Sequence, residues 1–426
     1  MVKKVLILGS DYSTVRVAIE AKKSGYYVIV ADLMEKSPTK SVADEAWLIS
    51  TTDIDLLEQR CIEEKVDGIM FGASDFNINN ARILCQRLNF PIYCENDFSW
   101  AVARNKRIFK EICKKVGAPV ASDYVLTDEL LETDLDKVSF PVVVKPCDKS
   151  GNRGMSYCDT REELIAGYRN ARKVSDETII VERKLIGNEY NVHYVLADGE
   201  ARLLYFSSTH HEPGQANNLY SFKNTTSRYL KQYIDEVNDS VKRVIKEAGC
   251  KEGIVWFDCI RDSDGQFYLL EMGYRFGGVM TYVPYSKVTG FNTIKWMLDY
   301  AMGKKHKLND LPKELSTALK GCAASYHLFT KFSGTISDIK GLDVIEKLEN
   351  IYIDIPKRQG DILRSNACSG LIGIYGKDIE ELCDSLKVIN SKLKILNKEN
   401  KNMFIYFDDY QSLKDEYYLG LAEFEE

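Results

Sequence analysis

The sequence predicts an α/β protein that begins with a parallel, doubly wound sheet domain and continues through mixed α and β regions. Two observations lead to this prediction. Short apolar runs alternate with helix-length amphipathic segments over the first ~95 residues, and strand pairs joined by tight turns follow further along. The chain has 426 residues, which is too long for one core, so we expect several domains.

The N-terminal region shows the order strand, helix, strand. Residues 5–8 form an apolar run of strand length, and a Gly-Ser turn leads into a helical stretch over residues 15–24. A strand over residues 27–30, a helix over residues 54–65 and a strand over residues 68–71 follow. Consecutive β-α-β units require parallel strands and right-handed crossovers, so this region is predicted to form the doubly wound sheet.

The turn after the first strand bears on whether this domain binds a dinucleotide. The fingerprint requires three glycines, but only Gly9 is present, and the later two positions are Asp11 and Thr14. Without those glycines the backbone cannot approach a pyrophosphate closely. Asp32 stands where a ribose-binding acid would be, but we interpret it as a strand cap or a contact to another ligand. We therefore disfavour a dehydrogenase.

A second α/β region follows a helix. Asn105 has the properties of an N-cap, and Gly117 ends the helix that it begins. Strands are predicted over residues 140–145 and 178–182, with a polar, glycine-containing loop over residues 149–154. The first of these strands therefore leads directly into the loop.

The central part of the chain predicts strand pairs around an amphipathic helix. Residues 190–196 and 201–206 are two strands joined at an Asp-Gly turn, and residues 230–245 have helical spacing. Residues 255–260 and 266–271 are joined by Asp-Ser-Asp-Gly, which is typical of a hairpin. The C-terminal part contains further short strands and helices.

Composition excludes several functional classes. The chain has 57 Lys and Arg against 63 Asp and Glu, a formal net charge of −6, whereas a nucleic-acid-binding protein would present a basic face. No apolar run reaches the roughly 20 residues that a bilayer span needs. The short N-terminal apolar run has no cleavage-site pattern. The 11 cysteines show no metal-ligand spacing, so we expect reduced thiols, a cytoplasmic location and no membrane partner.

Four features in chain order could carry chemistry, and the first two suit phosphate groups. Lys106 follows the helix cap, and Lys145 ends a strand just before residues 150–154, which include two glycines. A lysine beside such a loop can contact phosphate oxygens while the loop N–H groups supply further donors. A solvated lysine at a strand end is the alternative interpretation.

The third feature is a connector between two strands. Glu182 ends one strand, and Glu189 begins the next element. Exposed backbone groups of such a connector can bind the edge of an adenine ring, and a carboxylate can accept hydrogen bonds from both ribose hydroxyls. A surface turn with two solvated acids is the alternative.

The fourth feature is a pair of acids on the two arms of the predicted hairpin. Asp258 and Glu271 are flanked by apolar residues and would repel each other unless a cation lies between them. Mg²⁺ bridging nucleotide phosphates meets that condition, and a network of salt bridges is the alternative. Arg275, followed by Gly277 and Gly278, places a fixed charge beside bare N–H groups, which suits a carboxylate or an oxyanion.

Together these features resemble the ATP-grasp superfamily, in its carboxylate–amine ligase and biotin-carboxylase-like group, and they occur in that family's order over nearly the whole chain. The resemblance implies ATP as a substrate and Mg²⁺ as the metal, with Mn²⁺ as an alternative. It assigns the ATP phosphates to Lys106 and Lys145, the covering loop to Ser150, Gly151 and Gly154, adenine to Glu182 and Leu185, ribose to Glu189, the metal to Asp258 and Glu271, and the acyl phosphate or substrate carboxylate to Arg275.

One position departs from the family pattern. Many members have Asn two residues after the second metal-binding glutamate, where this chain has Gly273. A second Mg²⁺ would therefore have one ligand fewer here. Water or another side chain would have to replace it.

The resemblance also implies a domain division. Residues 1–100 would form the pre-ATP-grasp domain, and residues 313–426 a C-terminal α+β domain. The ATP-grasp domain would cover residues 101–312, with a small lobe at about 120–185 and a large lobe at about 186–312. Dimers are common in such enzymes, so a homodimer is the expected assembly.

The implied reaction begins when a carboxylate oxygen attacks the γ-phosphate of ATP to give an acyl phosphate and ADP, after which a nucleophile displaces phosphate. Our leading hypothesis for the nucleophile is an amine, so the expected partners are small-molecule carboxylate and amine substrates such as amino acids. It rests on Arg275, Gly277 and Gly278 as a carboxylate site. Residues 207–214, which include His211, could form a substrate loop, with an exposed turn as the alternative.

Two other functions stay open. An ATP-dependent carboxylase would use bicarbonate, as in purine or biotin carboxylation, and would release ADP only with bicarbonate and a nitrogen acceptor. A non-catalytic nucleotide-binding regulator would have lost one metal carboxylate, whereas both Asp258 and Glu271 are present.

Overall fold

The computed structural model describes residues 2–149, 151–211, 220–313 and 321–425. In these ranges the chain is an α/β protein, as predicted, and its strands form four sheets. The strands are β1 (Lys4–Leu8), β2 (Tyr27–Ala31), β3 (Glu45–Trp47), β4 (Gly68–Phe71), β5 (Asp123–Tyr124), β6 (Val142–Pro146), β7 (Ser156–Cys158), β8 (Ile179–Arg183), β9 (Gly187–Ala197), β10 (Glu200–His211), β11 (Tyr220–Thr225), β12 (Gly253–Asp262), β13 (Phe267–Gly273), β14 (Cys322–Phe329), β15 (Gly334–Lys340), β16 (Ile351–Asp354), β17 (Ile362–Leu363), β18 (Cys368–Gly376) and β19 (Lys394–Asn397).

Helices cover the faces and edges of these sheets. A π-helical turn (Ile234–Asn238) joins α8 to α9, so the predicted helix over residues 230–245 is continuous but widened in its middle. The helices are α1 (Tyr12–Lys23), α2 (Ile54–Glu64), α3 (Asp75–Leu88), α4 (Asp97–Arg104), α5 (Lys106–Val116), α6 (Glu132–Leu135), α7 (Arg161–Arg172), α8 (Leu230–Tyr233), α9 (Asp239–Glu247), α10 (Tyr282–Thr289), α11 (Thr293–Ala301), α12 (Leu342–Ile345), α13 (Ile379–Lys392) and α14 (Tyr410–Ala422).

The N-terminal sheet is parallel, as predicted. Its strand order is β3-β2-β1-β4, and Leu6 in the centre of β1 pairs with Ile29 on one side and Ile69 on the other. These three side chains are buried, which is typical of parallel strands that helices cover on both faces. The apolar runs of the sequence are therefore explained by burial on both sides of the sheet.

Gly9 follows β1 and packs against the N-terminal part of α3. It has φ of 88°, and a Cβ at this position would lie 2.0 Å from Asn77 Nδ2. Packing within the domain therefore requires glycine at this turn. This single glycine needs no bound dinucleotide to account for it.

The helix α5 begins and ends as predicted. The Asn105 side chain accepts hydrogen bonds from the backbone N–H groups of Arg107 and Ile108, and Gly117 ends the helix with φ of 72°. These are the common N-cap and C-cap arrangements. The cap places Lys106 at the first position of α5, where its backbone N–H donates to the Cys147 carbonyl at 2.8 Å.

A small antiparallel sheet follows, with the strand order β5-β8-β6-β7. The helix α7 packs on it, and Val142, Val144, Leu164 and Val181 form part of their shared core. The last two residues of β6, Lys145 and Pro146, lead into the glycine-containing loop. This sheet therefore fixes the direction in which the loop leaves it.

A large antiparallel sheet crosses the middle of the molecule, with the strand order β13-β12-β9-β10-β11-β14-β18-β16. Strands β14, β16 and β18 come from the segment after residue 313, and β14 pairs directly with β11. The sheet is thus continuous across the boundary that we predicted between the second and third domains. The domain division itself stays a prediction.

The register of this sheet collects polar residues on one face. Asp258 in β12 is paired with Glu271 in β13 and with Asn191 in β9. Thr209 in β10 is paired with Glu189 in β9, and with Lys223 in β11. Directly paired residues point to the same face of a sheet, so these side chains form a polar surface across neighbouring strands.

All eleven cysteines of the chain lie in the described ranges as free thiols, and all but Cys368 are buried. In the same ranges, no helix combines the length and the apolar character that a bilayer crossing demands.

Candidate active site

Asp258 and Glu271 lie side by side at the centre of the site, because their strands are in register. Asn191 Nδ2 donates to Asp258 Oδ1 at 2.6 Å, and Lys106 Nζ lies 2.8 Å from Glu271 Oε2. The sequence predicts the two acids on opposite arms of a hairpin, and in the structure they are directly paired across it. Each acid is held by a different neighbour.

The two carboxyl groups differ in their electrostatics. Burial raises the pKa of Asp258 to about 7, and the negative charges of Glu189 and Glu271 act in the same direction. Burial also opposes ionisation of Glu271, but the charges of Lys106 and Lys145 outweigh it and lower the pKa of that carboxyl. A further cation at this pair would stabilise the charge of Asp258.

The donor set suits a hard divalent cation that also binds phosphate. Asp258, Glu271 and the amide of Asn191 supply oxygen atoms, which Mg²⁺ and Mn²⁺ accept. Within the described ranges, no group of three or more His, Cys, Asp or Glu side chains is placed to hold a metal. A cation here would therefore take its remaining ligands from water or from phosphate oxygens.

Glu182 lies between two lysines in the small sheet. Its Oε2 is 2.6 Å from Lys110 Nζ, and Lys145 Nζ forms an ion pair with its Oε1. The three residues are 4% to 8% exposed. Burial opposes ionisation of Glu182, but the charges of Lys145 and Lys110 outweigh it and lower its pKa. Lys110 also donates to the Ala121 carbonyl at 3.0 Å, which fixes its ammonium group.

A cavity of about 440 Å³ lies between the small sheet and the large sheet. It brings together predicted residues that are far apart in sequence, and it includes apolar side chains that suit the faces of a planar ring. Its lining includes Lys145, Met155, Tyr157, Glu182, Leu185, Glu189, His211, Ile260 and Leu270.

His211 lies in this cavity, but not in a loop as we predicted. Strand β10 runs through His211, because Thr209 is paired with Glu189 on one side and Lys223 on the other. His211 Nε2 lies 3.1 Å from Glu189 Oε2. The expectation of a substrate loop over residues 207–211 is therefore wrong, and the rest of that segment, residues 212–219, lies outside the described residues.

Residues 151–154 of the glycine-containing loop form turns. Gly151 and Gly154 have φ of 64° and 76°, and a Cβ at Gly154 would lie 2.6 Å from Val174 Cγ2. Ser150, the first residue of the predicted loop, lies outside the described residues. Lys106 Nζ donates to the Lys149 carbonyl at 3.0 Å, so the loop begins beside the Glu271 carboxylate.

A second cavity, of about 510 Å³, lies on the other side of Glu271. Arg275 lines it, and its Nε donates to Asp75 Oδ1 at 2.5 Å in the first turn of α3. The predicted carboxylate-binding arginine thus already holds a carboxylate of the protein. The lining includes Ser74, Asp75, Phe76, Asn79, Arg104, Lys106, Lys149, Arg153, Trp256, Glu271 and Arg275.

The two glycines after Arg275 have different surroundings. A Cβ at Gly277 would lie 3.3 Å from His193 Cε1, so Gly277 is close to the large sheet. Gly278 is exposed, and a Cβ there would meet no atom within 4 Å in the described structure. Neither glycine lines the 510 Å³ cavity with Arg275, and their role as part of a carboxylate site stays a prediction.

Gly273 has a steric explanation. It is paired with Trp256 across the hairpin, and a Cβ at Gly273 would lie 2.1 Å from Trp256 Cε2. The indole ring therefore fills the space that an asparagine side chain would occupy. The Trp256 indole therefore leaves no room for an asparagine at position 273.

Several residues of the site were not identified from the sequence. Lys110 lies one helical turn after Lys106 among the buried residues of α5, and a lysine in such a stripe is a signal that could have been read. Asn191 lies two residues after Glu189, so strand alternation places both on one face. Lys223 and Asp75 reach the site through long-range packing, and no local pattern marks them.

Lys223 is the least predictable of these residues. It is 4% exposed, and its Nζ lies 3.7 Å from Glu189 Oε1. Its charge opposes the raised pKa of Asp258. It therefore adds a buried cation next to the two acids that line the site.

Comparison with known proteins agrees with this architecture. Residues 138–283 match the ATP-grasp domain family. The carbamoyl phosphate synthase large chain of Clostridium perfringens (strain 13 / Type A) is 25% identical over 328 residues, which cover 72% of this chain and 30% of that protein. The chain spans less than half of the length of the first curated relatives it matches.

Solved structures share the fold over most of the chain. The L-amino acid ligase from Bacillus licheniformis has a TM-score of 0.76 at 19% identity and covers 93% of this chain and 99% of its own. The biotin carboxylase from Campylobacter jejuni has a TM-score of 0.76 at 17% identity and covers 100% of this chain and 96% of its own. At these identities the likeness shows the fold.

The fold and the family match agree on an α/β protein in which residues 138–283 contribute strands to both the small sheet and the large sheet. Residues 138–283 match the ATP-grasp domain family, and the fold of the chain is that of the solved ligase and carboxylase structures.

Proposed function

We propose that this protein is an ATP-dependent ligase that activates a carboxylate as an acyl phosphate and joins it to an amine, releasing ADP and phosphate. The observation that carries the proposal is the position of the Asp258–Glu271 pair. Glu271 lines the 510 Å³ cavity, and the adjacent Leu270 lines the 440 Å³ cavity. A nucleotide in one cavity can therefore present its terminal phosphate to a substrate in the other.

The 440 Å³ cavity would bind the nucleoside. Adenine would lie against Leu185 and near Glu182, and the ribose hydroxyls would bind Glu189. The triphosphate would extend toward Lys145, Lys106 and the loop that contains Gly151 and Gly154. ATP would then compete with Glu182 for Lys145, while Lys110 continues to balance the Glu182 charge.

Asp258 and Glu271 would hold Mg²⁺, or Mn²⁺, at the phosphates. When bound, the metal neutralises charge on the transferring phosphoryl group. Lys106 and Lys145 lower the pKa of Glu271 and keep this carboxylate ionised at neutral pH. The protein's contribution is therefore a fixed set of charges that positions the phosphates before reaction.

The chemistry proceeds in two displacements. A substrate carboxylate oxygen attacks the γ-phosphorus, the bond to the ADP oxygen breaks, and an acyl phosphate forms. A neutral amine then attacks the acyl carbon, the C–N bond forms, the C–O bond to phosphate breaks, and the amine proton passes to phosphate or solvent. Arg275 would balance the charge of the carboxylate and of the oxyanion that develops on it.

The experiment that tests this proposal is a screen for ADP release with pairs of amino acids and with amino acids plus polyamines. We expect release that requires both a carboxylate and an amine, and a product whose mass is that of the two substrates less one water. If no pair raises ADP release above the ATPase background, the ligase proposal is wrong.

A bicarbonate-dependent carboxylase is the second candidate. It is supported by the structural likeness to biotin carboxylase, which extends over 100% of this chain. ADP release that requires bicarbonate and a nitrogen acceptor, with incorporation of labelled bicarbonate, would favour it. Release that is independent of bicarbonate favours the amine ligase.

The setting of the enzyme is part of the proposal. The eleven free thiols support a reducing, cytoplasmic environment, and the net charge of −6 supports small-molecule substrates over nucleic acid. A homodimer is the proposed assembly. Light scattering of the purified protein tests it directly.

A further inference from the structure

Trp256 and Gly273 lie opposite each other on the face of the hairpin that carries Asp258 and Glu271. The indole of Trp256 occupies the space that a side chain at position 273 would need. Trp256 and Gly273 are paired in register, two residues from Asp258 and Glu271 respectively, so all four positions share one face of the sheet. A Cβ at Gly273 would lie 2.1 to 2.5 Å from Cε2, Cζ2 and Nε1 of the indole. A tryptophan at 256 therefore forbids a side chain at 273.

The indole brings a different chemistry to this position. An asparagine can give an oxygen to a cation, but an indole nitrogen carries a hydrogen and can only donate. With an indole here in place of an asparagine side chain, the position beside Glu271 has one metal ligand fewer and one hydrogen-bond donor more. The donor would interact with an anion, not with a cation.

This donor has no acceptor in the described part of the structure. Trp256 is 7% exposed, and its Nε1 is buried without a hydrogen-bond partner among the described residues. Buried donors are nearly always satisfied, because burial removes the water that would otherwise accept the hydrogen. Trp256 also lines the 510 Å³ cavity, so a ligand in that cavity can supply the missing acceptor.

The surroundings of the indole specify the charge of that ligand. Trp256 lines the 510 Å³ cavity together with Lys106, Glu271 and Arg275. The guanidinium carbon of Arg275 lies 5.2 Å from the centre of the indole ring. A cation stacked on the ring and a donor at its edge together suit an oxyanion.

We propose that the Trp256 N–H donates to an anionic oxygen of the ligand in this cavity, either the transferring phosphoryl group or the carboxylate that receives it. Trp256 thereby replaces the asparagine of similar proteins, with a hydrogen bond to the oxyanion in place of a bond to a second cation. This inference rests on the proposed ligase function and adds a binding residue to it.

The first test compares Trp256→Phe with the wild-type protein in calorimetric titrations. The probes are MgADP alone, then inorganic phosphate or L-alanine added to the MgADP complex. Phenylalanine keeps an aromatic wall but removes the N–H. We expect about tenfold weaker binding of phosphate, of L-alanine, or of both, and MgADP binding that is unchanged within a factor of about three.

Trp296→Phe is the matched control. Trp296 is also 7% exposed with a buried, unpartnered Nε1 within the described ranges, and it packs on His306 outside both cavities. This variant should alter none of the three titrations. Weakened phosphate binding assigns the acceptor to the phosphoryl group, and weakened L-alanine binding assigns it to the carboxylate. Unchanged binding of both probes to Trp256→Phe overturns the inference.

The second test examines whether Trp256 prevents a side chain at position 273. Gly273→Asn should lower the melting temperature, and Trp256→Ala combined with Gly273→Asn should recover most of the loss. Electron paramagnetic resonance of Mn²⁺ with ADP should then count more tightly bound Mn²⁺ per nucleotide in the double variant than in the wild-type protein. Equal Mn²⁺ counts would show that Trp256 does not replace a metal ligand.

The two proposals fail in different ways. If MgADP does not bind to the wild-type protein, the proposed function is wrong. If MgADP binds normally but Trp256→Phe behaves like Trp296→Phe, the proposed function stands and the role of Trp256 is wrong.

Discussion

The 440 Å³ cavity and the 510 Å³ cavity are built in different ways. On the 440 Å³ side, Lys145 and Glu182 line the cavity and form a buried cluster with Lys110 behind them. On the 510 Å³ side, Arg275 is paired with Asp75, which lies 200 residues earlier in the chain. Both contacts join segments that are far apart in the chain, 72 residues for Lys110 and Glu182 and 200 residues for Arg275 and Asp75.

This difference separates nucleotide binding from acceptor binding in the proposed function. The lysine–glutamate cluster is buried, so its geometry is set whether or not substrate is present. The opposite wall is formed by α3 and by Trp256, which can change without altering the first cavity. We therefore expect nucleotide binding and acceptor binding to respond to different substitutions.

The largest expected effect is at Glu271, which lines the 510 Å³ cavity and is adjacent to Leu270 in the lining of the 440 Å³ cavity. Glu271→Gln removes the charge that pairs with Lys106 and would bind the metal, so ADP formation should fall about a thousandfold. Circular dichroism and the melting temperature should change little, because this side chain is one-third exposed. Undiminished turnover in this variant would disprove the metal assignment.

A substitution at Lys110 tests the buried Lys110–Glu182–Lys145 cluster through the stability of the folded protein. Lys110→Met keeps the length of the side chain but leaves Glu182 with one cation, so the free energy of unfolding should fall by about 2–4 kcal/mol. Lys114→Met is the matched control on the same helix, since the Lys114–Asp123 pair is exposed and its loss should cost less than about 1 kcal/mol. Equal losses in urea unfolding of the two variants would contradict the role of the buried cluster.

A substitution at Lys145 tests the same cluster through nucleotide binding. Lys145→Ala should raise the KM for ATP about 30-fold, the usual size of a lost hydrogen bond to a charged group. The variant should still fold, but with a free energy of unfolding lowered to about the same extent as in Lys110→Met, because Glu182 again keeps one cation. Nucleotide titration measures the effect, and KM for the carboxylate should change far less. A reversed pattern would mean that the two cavities are assigned the wrong way round.

The smallest expected effect is that of a substitution at Asp75, which lines the 510 Å³ cavity. Asp75→Asn should free Arg275 from its partner and change the KM for the carboxylate or amine substrate about fivefold, with MgADP binding unaltered. Asp97→Asn is the control, because Asp97 also begins a helix and pairs with an arginine, but is exposed. A shift in MgADP affinity in Asp75→Asn alone would show that the two sides are coupled.

Local features of the fold were predictable because local residues decide them. The N-cap at Asn105, the C-cap at Gly117 and the hairpin turn before residue 266 all depend on neighbouring backbone geometry. The parallel N-terminal sheet followed from alternating apolar runs. The candidate residues also occur along the chain in the order that is typical of the ATP-grasp superfamily.

The failures came from pairing between distant strands. Strand β10 extends through His211 because β9 and β11 pair with it on both sides, although the sequence of residues 207–211 contains no apolar run. Strand β14 joins the large sheet by pairing with β11, and no local sequence pattern predicts this pairing. Polar residues in strands are stable here because each side chain finds a partner across the sheet.

The sequence by itself determined the α/β class, the helix ends, the hairpin that carries Asp258 and Glu271, and the likeness to the ATP-grasp superfamily. Each of these depends on spacing along the chain. Only the tertiary structure decided that Lys110 shares Glu182 with Lys145, that Asp75 meets Arg275, and that the Trp256 indole fills the space above Gly273. These contacts arise from strand register and from the packing of distant elements, and the order of residues does not encode such distances directly.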